Sequence, residues 1–163
     1  MFLGDNILEL KLNELKTKKF KKIIAFIDGS ETAEKAMKKA ILLARSLNIN
    51  IEVIYMINTA TIVRVFPHQD RVISPQQLEI AANLKKQACS SLYNIEKVCN
   101  KLEVKVTTKI VEDVPFVDIT KKAGRDDLIV MGCNKSLYST RLFFHSVSEK
   151  ILQHAQSTVM FVR

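Results

Sequence analysis

The polar residues best placed to bind a ligand lie in one loop near the end of the chain. An apolar run, Leu128 to Met131, ends at Gly132 and is typical of a buried parallel strand. Ser146 follows after thirteen intervening residues and stands three positions before Glu149, which is the capping-box spacing of a helix start. The free N–H groups and positive dipole end of that helix favour an anion. The sequence therefore predicts an anion site, with phosphate as the ligand, between Gly132 and Ser146.

A second polar group follows the first strand-like segment of the chain. Residues Lys22 to Ile27 are predicted to form a strand that closes on Asp28, Gly29 and Ser30. An Asp-Gly-Ser sequence forms a turn and caps a helix, so Asp28 has two interpretations, a capping residue or a ligand contact. For Ser146, capping is predicted in either case, and a phosphate would bind the neighbouring N–H groups in addition.

The residue types expected of a catalytic or metal site do not occur at recognisable spacings. His68, His145 and His154 have no cysteine or carboxylate partner at a ligand spacing. Neither a phosphate loop ending in Gly-Lys-Ser/Thr nor a G-x-S-x-G elbow is present. Cys89 and Cys99 are separated by about 15 Å on one predicted helix, too far for a disulfide. We therefore predict no catalytic residue, no metal ligand and unpaired thiols.

Composition and charge describe a single globular domain with a basic surface. The chain has 163 residues, of which 47% are hydrophobic and 26% charged, enough to bury a sizeable core. Its longest uncharged stretch is too short to cross a membrane, and we expect a cytoplasmic protein. The net charge is +8, but the lysines lack interleaved aromatic residues, which favours a solvated surface over a nucleic-acid site. Six of them lie just before or within the first strand: Lys11, Lys16, Lys18, Lys19, Lys21 and Lys22.

Strand-like and helix-like segments alternate along most of the chain. The pattern predicts strands over residues 22–27, 51–57, 104–111, 128–131 and 159–162. Helices are predicted after Ser30, from about Gln76 with Leu78 in its apolar stripe, from Pro115 to a C-terminal cap at Gly124, and from Ser146. The segment from Asn58 to Pro75 has no clean period and is a candidate lid. This alternation implies a parallel sheet with right-handed crossovers and helices on both faces.

Residues 1–19 precede the alternating region. Their apolar residues recur at roughly helical spacing, which predicts either a short amphipathic helix or a partly ordered arm: Ile7, Leu8, Leu12 and Leu15. We therefore divide the chain into a basic extension, residues 1–19, and an α/β domain, residues 20–163.

From about Phe20 to Arg163 the sequence resembles the universal stress protein family. The resemblance rests on the opening IIAFIDGSETAEKAM, the strand VIYMIN and the closing segments DLIVMG, SVSEKIL and VMFVR. It implies an open, Rossmann-like sheet of five parallel strands in the order 3-2-1-4-5. Ligands bind beyond the strand ends where such an order reverses, here between the first and fourth strands. The resemblance thus implies that Asp28 and Gly132 lie in one crevice.

The resemblance also implies a candidate site for ATP with Mg²⁺. In nucleotide-binding relatives the aspartate after the first strand lies near the adenosine, and Asp28 matches it. The end of the second strand contacts the adenine, which matches Met56, and the loop after the fourth strand binds the ribose and phosphates. The two methionines of the site are also typical core residues. The candidate pocket comprises Asp28, Met56, Met131, Gly132, Asn134, Lys135, Ser146, Val147 and Ser148.

The phosphate-binding signature of those relatives is only partly present. It places three glycines before a serine or threonine, and the matching positions here hold Gly132, Lys135, His145 and Ser146. Asp113 likewise stands where relatives usually have a glycine. Glycine lets the backbone approach a phosphate, whereas a side chain adds bulk and costs about 1 kcal/mol or more where φ is positive. We therefore favour a degenerate nucleotide pocket over a working one.

The function predicted from these residues is that of a homodimeric, non-catalytic module in stress response or regulation. The resemblance implies a homodimer through the last strand, Val159 to Val162, whose edge would otherwise be unpaired. Two alternatives stay open. The first is an ATP-binding sensor or switch in which Lys135 and Arg141 meet the phosphate charge. The second is a slow nucleotide hydrolase, ranked last because no general base is evident.

Overall fold

Seven strands and helices position the candidate site. The computed structural model describes residues 20–57, 75–112, 120–133, 151 and 154–163. The elements in these ranges are β1 (Lys22–Ile27), α1 (Glu31–Leu47), β2 (Asn50–Ile57), α2 (Pro75–Lys101), β3 (Val106–Glu112), β4 (Leu128–Gly132) and β5 (Thr158–Val162). The extension of residues 1–19, the candidate lid, and most of the helices predicted from Pro115 and from Ser146 lie outside the described residues.

The five strands form one parallel sheet in the order β3-β2-β1-β4-β5. The predicted strand order is therefore confirmed. In the register of the central strand, Phe26 stands opposite Met131 of β4 and Ile27 stands opposite Tyr55 of β2. The order reverses at β1 and β4, so the crevice expected of an open α/β sheet lies beyond the carboxyl ends of these two strands.

The central strands are continuously apolar because side chains on both of their faces are buried. Ile23, Ala25 and Ile27 belong to a first core cluster, which also contains buried residues of α1 and α2. Ile24 and Phe26 point to the opposite face and belong to a second core cluster with residues of β4. A strand covered on both faces loses the alternation of polar and apolar residues, which explains why the runs in β1 and β4 are unbroken.

Helix α1 has recognisable signals at both ends. The side chain of Ser30 accepts a hydrogen bond from the N–H of Ala33 and caps the first turn, while Asn48 ends the helix in the left-handed conformation. The residues that α1 buries recur at helical spacing along one face: Ala33, Ala36, Met37, Ala40, Ile41 and Ala44. The small side chains of the alanines let the helix pack close to the sheet. This close packing also shapes the candidate site.

Helix α2 buries less of its predicted apolar stripe than its periodicity suggests. The helix has 27 residues and is therefore about 40 Å long, whereas an eight-residue strand spans about 27 Å. Its first turns extend past the carboxyl ends of the strands, so Leu78, predicted in the stripe, is 57% exposed. The residues it buries lie further along the helix: Ala88, Leu92 and Cys99.

Two further sequence predictions are settled outside the sheet. Gly124 does not adopt the left-handed conformation of the predicted helix cap, because it forms a turn with Asp127 instead. The N–H of Gly124 donates to Oδ2 of Asp127 at 2.9 Å, and the N–H of Asp127 donates back to the carbonyl of Gly124 at 3.0 Å. Cys89, Cys99 and Cys133 are free thiols, of which Cys99 is buried and Cys89 is exposed. Within the described ranges, no helix combines the length and apolarity needed to cross a membrane.

Candidate functional site

Three neighbouring strands have predicted site residues at their carboxyl ends, on the same side of the molecule. Because Ile27 is level with Tyr55, and Phe26 with Met131, the residues that follow emerge side by side. Asp28 comes from β1, Met56 from β2 and Gly132 from β4. The structure thus brings together residues more than a hundred positions apart in the chain, at the reversal of strand order where the crevice was predicted.

Asp28 organises the turn between β1 and α1. Its Oδ1 accepts a hydrogen bond from the N–H of Ser30 at 3.0 Å, and Gly29 between them has a φ of +82°, a conformation that favours glycine. The cap itself is Ser30, whose Oγ accepts from the N–H of Ala33 at 3.2 Å. Asp28 is therefore the turn residue rather than the cap, and its exposed position leaves the carboxylate at the mouth of the crevice.

Tyr55 lies against this turn and was not among the residues predicted from sequence. A Cβ atom added to Gly29 would lie 2.7 Å from the hydroxyl oxygen of Tyr55, and the tyrosine is only 7% exposed. Burial, and then the negative charge of Asp28, raise the pKa of the Tyr55 phenol above its ordinary value. A tyrosine hydroxyl is already neutral at physiological pH, and this shift extends the neutral form to higher pH. The signal in the sequence was a phenol within the otherwise apolar end of β2.

Gly132 is the point where α1 rests directly on β4. A Cβ atom at this position would lie 2.5 Å from the backbone N of Ala33, 2.5 Å from the carbonyl carbon of Thr32 and 2.7 Å from its oxygen. Backbone atoms cannot move aside as a flexible side chain does, so only glycine permits this contact. The close approach of α1 therefore requires the glycine whether or not a ligand binds.

The two methionines of the candidate pocket have different surroundings. Met131 is 4% exposed and belongs to the second core cluster, which makes it a core residue. Met56 packs against the same cluster but is only partly buried and lies at the carboxyl end of β2. Of the two, only Met56 keeps part of its surface exposed.

The remaining predicted site residues follow the last described residue of this region. The N–H of Cys133 donates to the carbonyl of Val162 at 2.8 Å, so the chain stays beside β5 for one residue after Gly132. The other five residues of the candidate pocket lie outside the described residues: Asn134, Lys135, Ser146, Val147 and Ser148. Within the described part of the chain, no group of three or more histidine, cysteine or acidic side chains is placed to hold a metal ion.

Strand β5 forms an edge of the sheet as the structure describes it. It pairs with β4, with Gly132 opposite Val162, and no strand among the described residues pairs with its other side. Val159, Met160 and Phe161 are only partly buried. An apolar strand with a free edge is a template for pairing with another chain.

Comparisons with known proteins agree with this geometry. The sequence model described as the Universal stress protein family matches residues 19–163. A universal stress protein of Methanocaldococcus jannaschii is 27% identical over 146 residues, covering 88% of this chain and 82% of the relative.

Solved structures share the fold. Universal stress protein UspA from Lactobacillus plantarum superposes with a TM-score of 0.70 at 19% identity, covering 89% of this chain and 99% of that one. A universal stress protein solved in complex with cAMP gives a TM-score of 0.60 at 16% identity, with 89% and 98% of the two chains covered. The sequence match over nearly the whole chain, together with this sheet order, shows that the chain belongs to the universal stress protein family.

Proposed function

We propose that this protein is a homodimeric stress-response module that acts without catalysis and has a degenerate nucleotide pocket. One observation carries the proposal: the retained signature glycine, Gly132, is the glycine that the packing of α1 requires. The two signature positions further along the loop hold Lys135 and His145. The glycine that the fold requires is therefore present, whereas the two glycines that only phosphate binding would require are replaced by other residues.

The described residues of the crevice favour a nucleoside as the class of ligand that this protein binds. Asp28 presents an exposed carboxylate, which suits the hydroxyl groups of a ribose, and Met56 offers a partly exposed apolar surface for a base. The similar universal stress protein in complex with cAMP supports the same class of ligand. The nucleoside end would therefore contribute most of the affinity, and the phosphates little.

The absence of catalysis is proposed from the two ionisable side chains at the turn between β1 and α1, Asp28 and Tyr55. Hydrolysis needs a group that accepts a proton from water near neutral pH. A phenol is protonated there at its ordinary pKa, and the pKa of Tyr55 is raised further, while one oxygen of Asp28 accepts the hydrogen bond of the turn. Neither side chain is set up as a general base.

Calorimetric titration with ATP and Mg²⁺ tests the pocket. We expect wild-type protein to bind no tighter than millimolar, about −4 kcal/mol, because the loop side chains keep the phosphates from the backbone. Lys135→Gly combined with His145→Gly should bind more tightly, by about tenfold. The matched control, Lys135→Ala with His145→Ala, removes the same charge and most of the bulk without the conformational freedom of glycine. It should gain less than the glycine variant.

The outcomes of this titration separate the alternatives. Micromolar binding by the wild type would overturn the degenerate pocket and establish the ATP-binding sensor, in which Lys135 and Arg141 supply positive charge to the phosphates. Lys135→Ala would then weaken binding rather than leave it unchanged. Binding by neither protein would show that the loop glycines are not the cause, and would direct attention to Asp113 and the candidate lid.

The homodimer is proposed through the free edge of β5. Val159→Asp combined with Phe161→Asp should convert a dimer into a monomer in sedimentation velocity, because two buried charges would oppose strand pairing. Leu42→Asp with Leu78→Asp is the matched control, since both leucines are exposed and lie on helices. Circular dichroism of each variant verifies that the fold persists. A wild-type protein that is monomeric at micromolar concentration would contradict the proposed homodimer.

A further inference from the structure

An apolar groove lies between α1 and α2, on the side of the sheet that carries the first core cluster. Its volume is about 340 Å³. Met37 and Ile41 form its wall on α1, Ile95 and Val98 form its wall on α2, and Ile27 lies at its floor. Val98 is 45% exposed, although it lines an apolar surface. Among the described residues nothing covers this groove, here named the α1–α2 groove.

The rim of the groove carries one charge of each sign. Glu34 and Lys38 lie one helical turn apart on α1, and Ser91 and Asn94 face them from α2. Neither Glu34 nor Lys38 forms an ion pair with any other described residue, whereas the neighbouring Lys35 pairs with Glu31 at 2.7 Å. An apolar floor with polar, oppositely charged borders is the surface that an amphipathic helix fits.

We propose that residues 1–19 pack into the α1–α2 groove as an amphipathic helix of the same chain. The segment presents Leu8, Leu12 and Leu15 at intervals of four and three residues, which places them on one helical face. Between them lie glutamate and lysine residues, so the segment offers an opposite charge to each rim residue. The family match begins at residue 19, so this covering helix is an addition to the family core.

The position of Phe20 supports docking on this side of the sheet. Phe20 packs against the first core cluster, the cluster to which the groove-lining residues of α1 also belong. The adjoining N–H of Lys21 donates to the carbonyl of Asp126 at 2.9 Å, which fixes where the chain enters β1. Phe20, the residue that follows the segment, therefore lies on the side of the sheet that α1 and α2 cover.

The length of the segment is sufficient to reach the groove. The six residues of β1 separate its entry point from the far end of the groove by about 20 Å. Residues 16–19 in extended form span about 13 Å, and a helix over residues 7–15 spans about 13 Å more. A covalently attached helix also has a high effective concentration at the groove, which favours it over a free partner.

Occupation of the groove would also touch the candidate site. Gly29 and Ala33 line one end of the groove, and the backbone of Ala33 is what rests on Gly132. A docked segment would therefore add a contact to the first turn of α1, which already rests on β4 through Gly132. The proposal itself does not depend on nucleotide binding, and it is tested without nucleotide.

Hydrogen exchange of the full chain tests the proposal. Leu8→Asp combined with Leu12→Asp should release the segment, so amides of residues 33–41 and 91–98 should exchange at least about fivefold faster, and binding of an apolar fluorescent dye should increase. The matched control, Asn6→Asp with Asn13→Asp, adds the same charge at polar positions and should behave as the wild type. Equal exchange in all three proteins, or full dye binding by the wild type, would overturn the proposal.

Engineered disulfides provide a second, geometric test. With Cys89→Ser to remove the exposed native thiol, Leu12→Cys paired with Val98→Cys should form an intramolecular disulfide under mild oxidation. Leu12→Cys paired with Leu42→Cys should not, because Leu42 is 59% exposed and does not line the groove. An intermolecular disulfide would show that a second copy occupies the groove. That result, or no disulfide in either variant, would overturn the proposal.

Discussion

The two sides of the crevice differ in what their residues are needed for. On the β1 side, the turn is built from contacts within the protein: Asp28 accepts from the N–H of Ser30, and Gly29 passes beneath the hydroxyl of Tyr55. On the β4 side, Gly132 is required by the packing of α1, and the next signature position holds Lys135. A glycine retained from a binding signature is therefore not in itself evidence of a ligand, because the fold can require it.

Alanine substitutions at Gly132 and Gly124 should differ in stability, because packing requires the first glycine and does not require the second. Gly132→Ala should lower the free energy of unfolding by about 3 kcal/mol, because the new Cβ would meet backbone atoms of Thr32 and Ala33 at 2.5 Å. Gly124→Ala is the control, since its Cβ would lie 3.5 Å from Asp127 in ordinary contact, and it should change stability by less than about 1 kcal/mol. Urea denaturation without nucleotide measures both. Equal effects would remove the packing explanation for Gly132.

How far the sequence could predict this structure depends on the range of the interactions involved. The alternation of strands and helices, with the family resemblance, was sufficient for the sheet and its order, because these depend on long runs of residues. The resemblance also placed Asp28 and Gly132 at neighbouring strand ends. Met131, included among the candidate ligands, instead belongs to the core.

The sequence predictions that were wrong, and the contacts that were missed, concern where elements end and which elements contact one another. Periodicity placed Leu78 in a buried stripe, but it carries no information on how far α2 extends past the sheet. Gly124 has the residue type of a helix cap, but the nearby carboxylate of Asp127 offers its N–H a different partner. The contact of Tyr55 with Gly29 joins β2 to the turn that follows β1, and the contact of Gly132 with α1 joins residues about a hundred positions apart. No local pattern reports either of them.

A double-mutant cycle at Gly29 and Tyr55 tests the contact on the β1 side of the crevice. Gly29→Ala should cost about 2 kcal/mol, because alanine is strained at a φ of +82° and its Cβ would meet the Tyr55 hydroxyl at 2.7 Å. In a Tyr55→Phe background the hydroxyl is gone, so the cost should fall by about 1 kcal/mol while the strain remains. Chemical denaturation of the four proteins gives the coupling. Additive effects would mean that Tyr55 does not rest on the turn.

Removal of the extension should leave both sides of the crevice in place. Deleting Met1 to Lys18 is expected to preserve a single cooperative unfolding transition, since the core begins at Phe20, with a loss of about 1 kcal/mol from the uncovered groove. Denaturation followed by circular dichroism measures this. Loss of cooperativity would make the extension part of the core. Salt-sensitive DNA binding that disappeared with the deletion would instead restore the nucleic-acid interpretation of the lysines.

The smallest expected effect is electrostatic and concerns the neighbourhood of Tyr55 and Asp28. Burial, followed by the charge of Asp28, raises the folded-state pKa of Tyr55 above its unfolded value, so the folded chain holds this proton to higher pH. The stabilising contribution is therefore complete below the unfolded pKa, about 10, and is lost as the pH rises through the folded pKa. In an ultraviolet titration of the phenols, Tyr55→Phe should remove absorbance change from the late part of the curve. Asp28→Asn should shift the Tyr55 part of the titration curve to lower pH. This shift should be smaller than the part of the raised pKa that burial causes, because the charge of Asp28 is the lesser cause. If Tyr55→Phe removed only the early part of the titration, the hydroxyl would not be buried against the turn, and the contact of Tyr55 with Gly29 would not hold in solution.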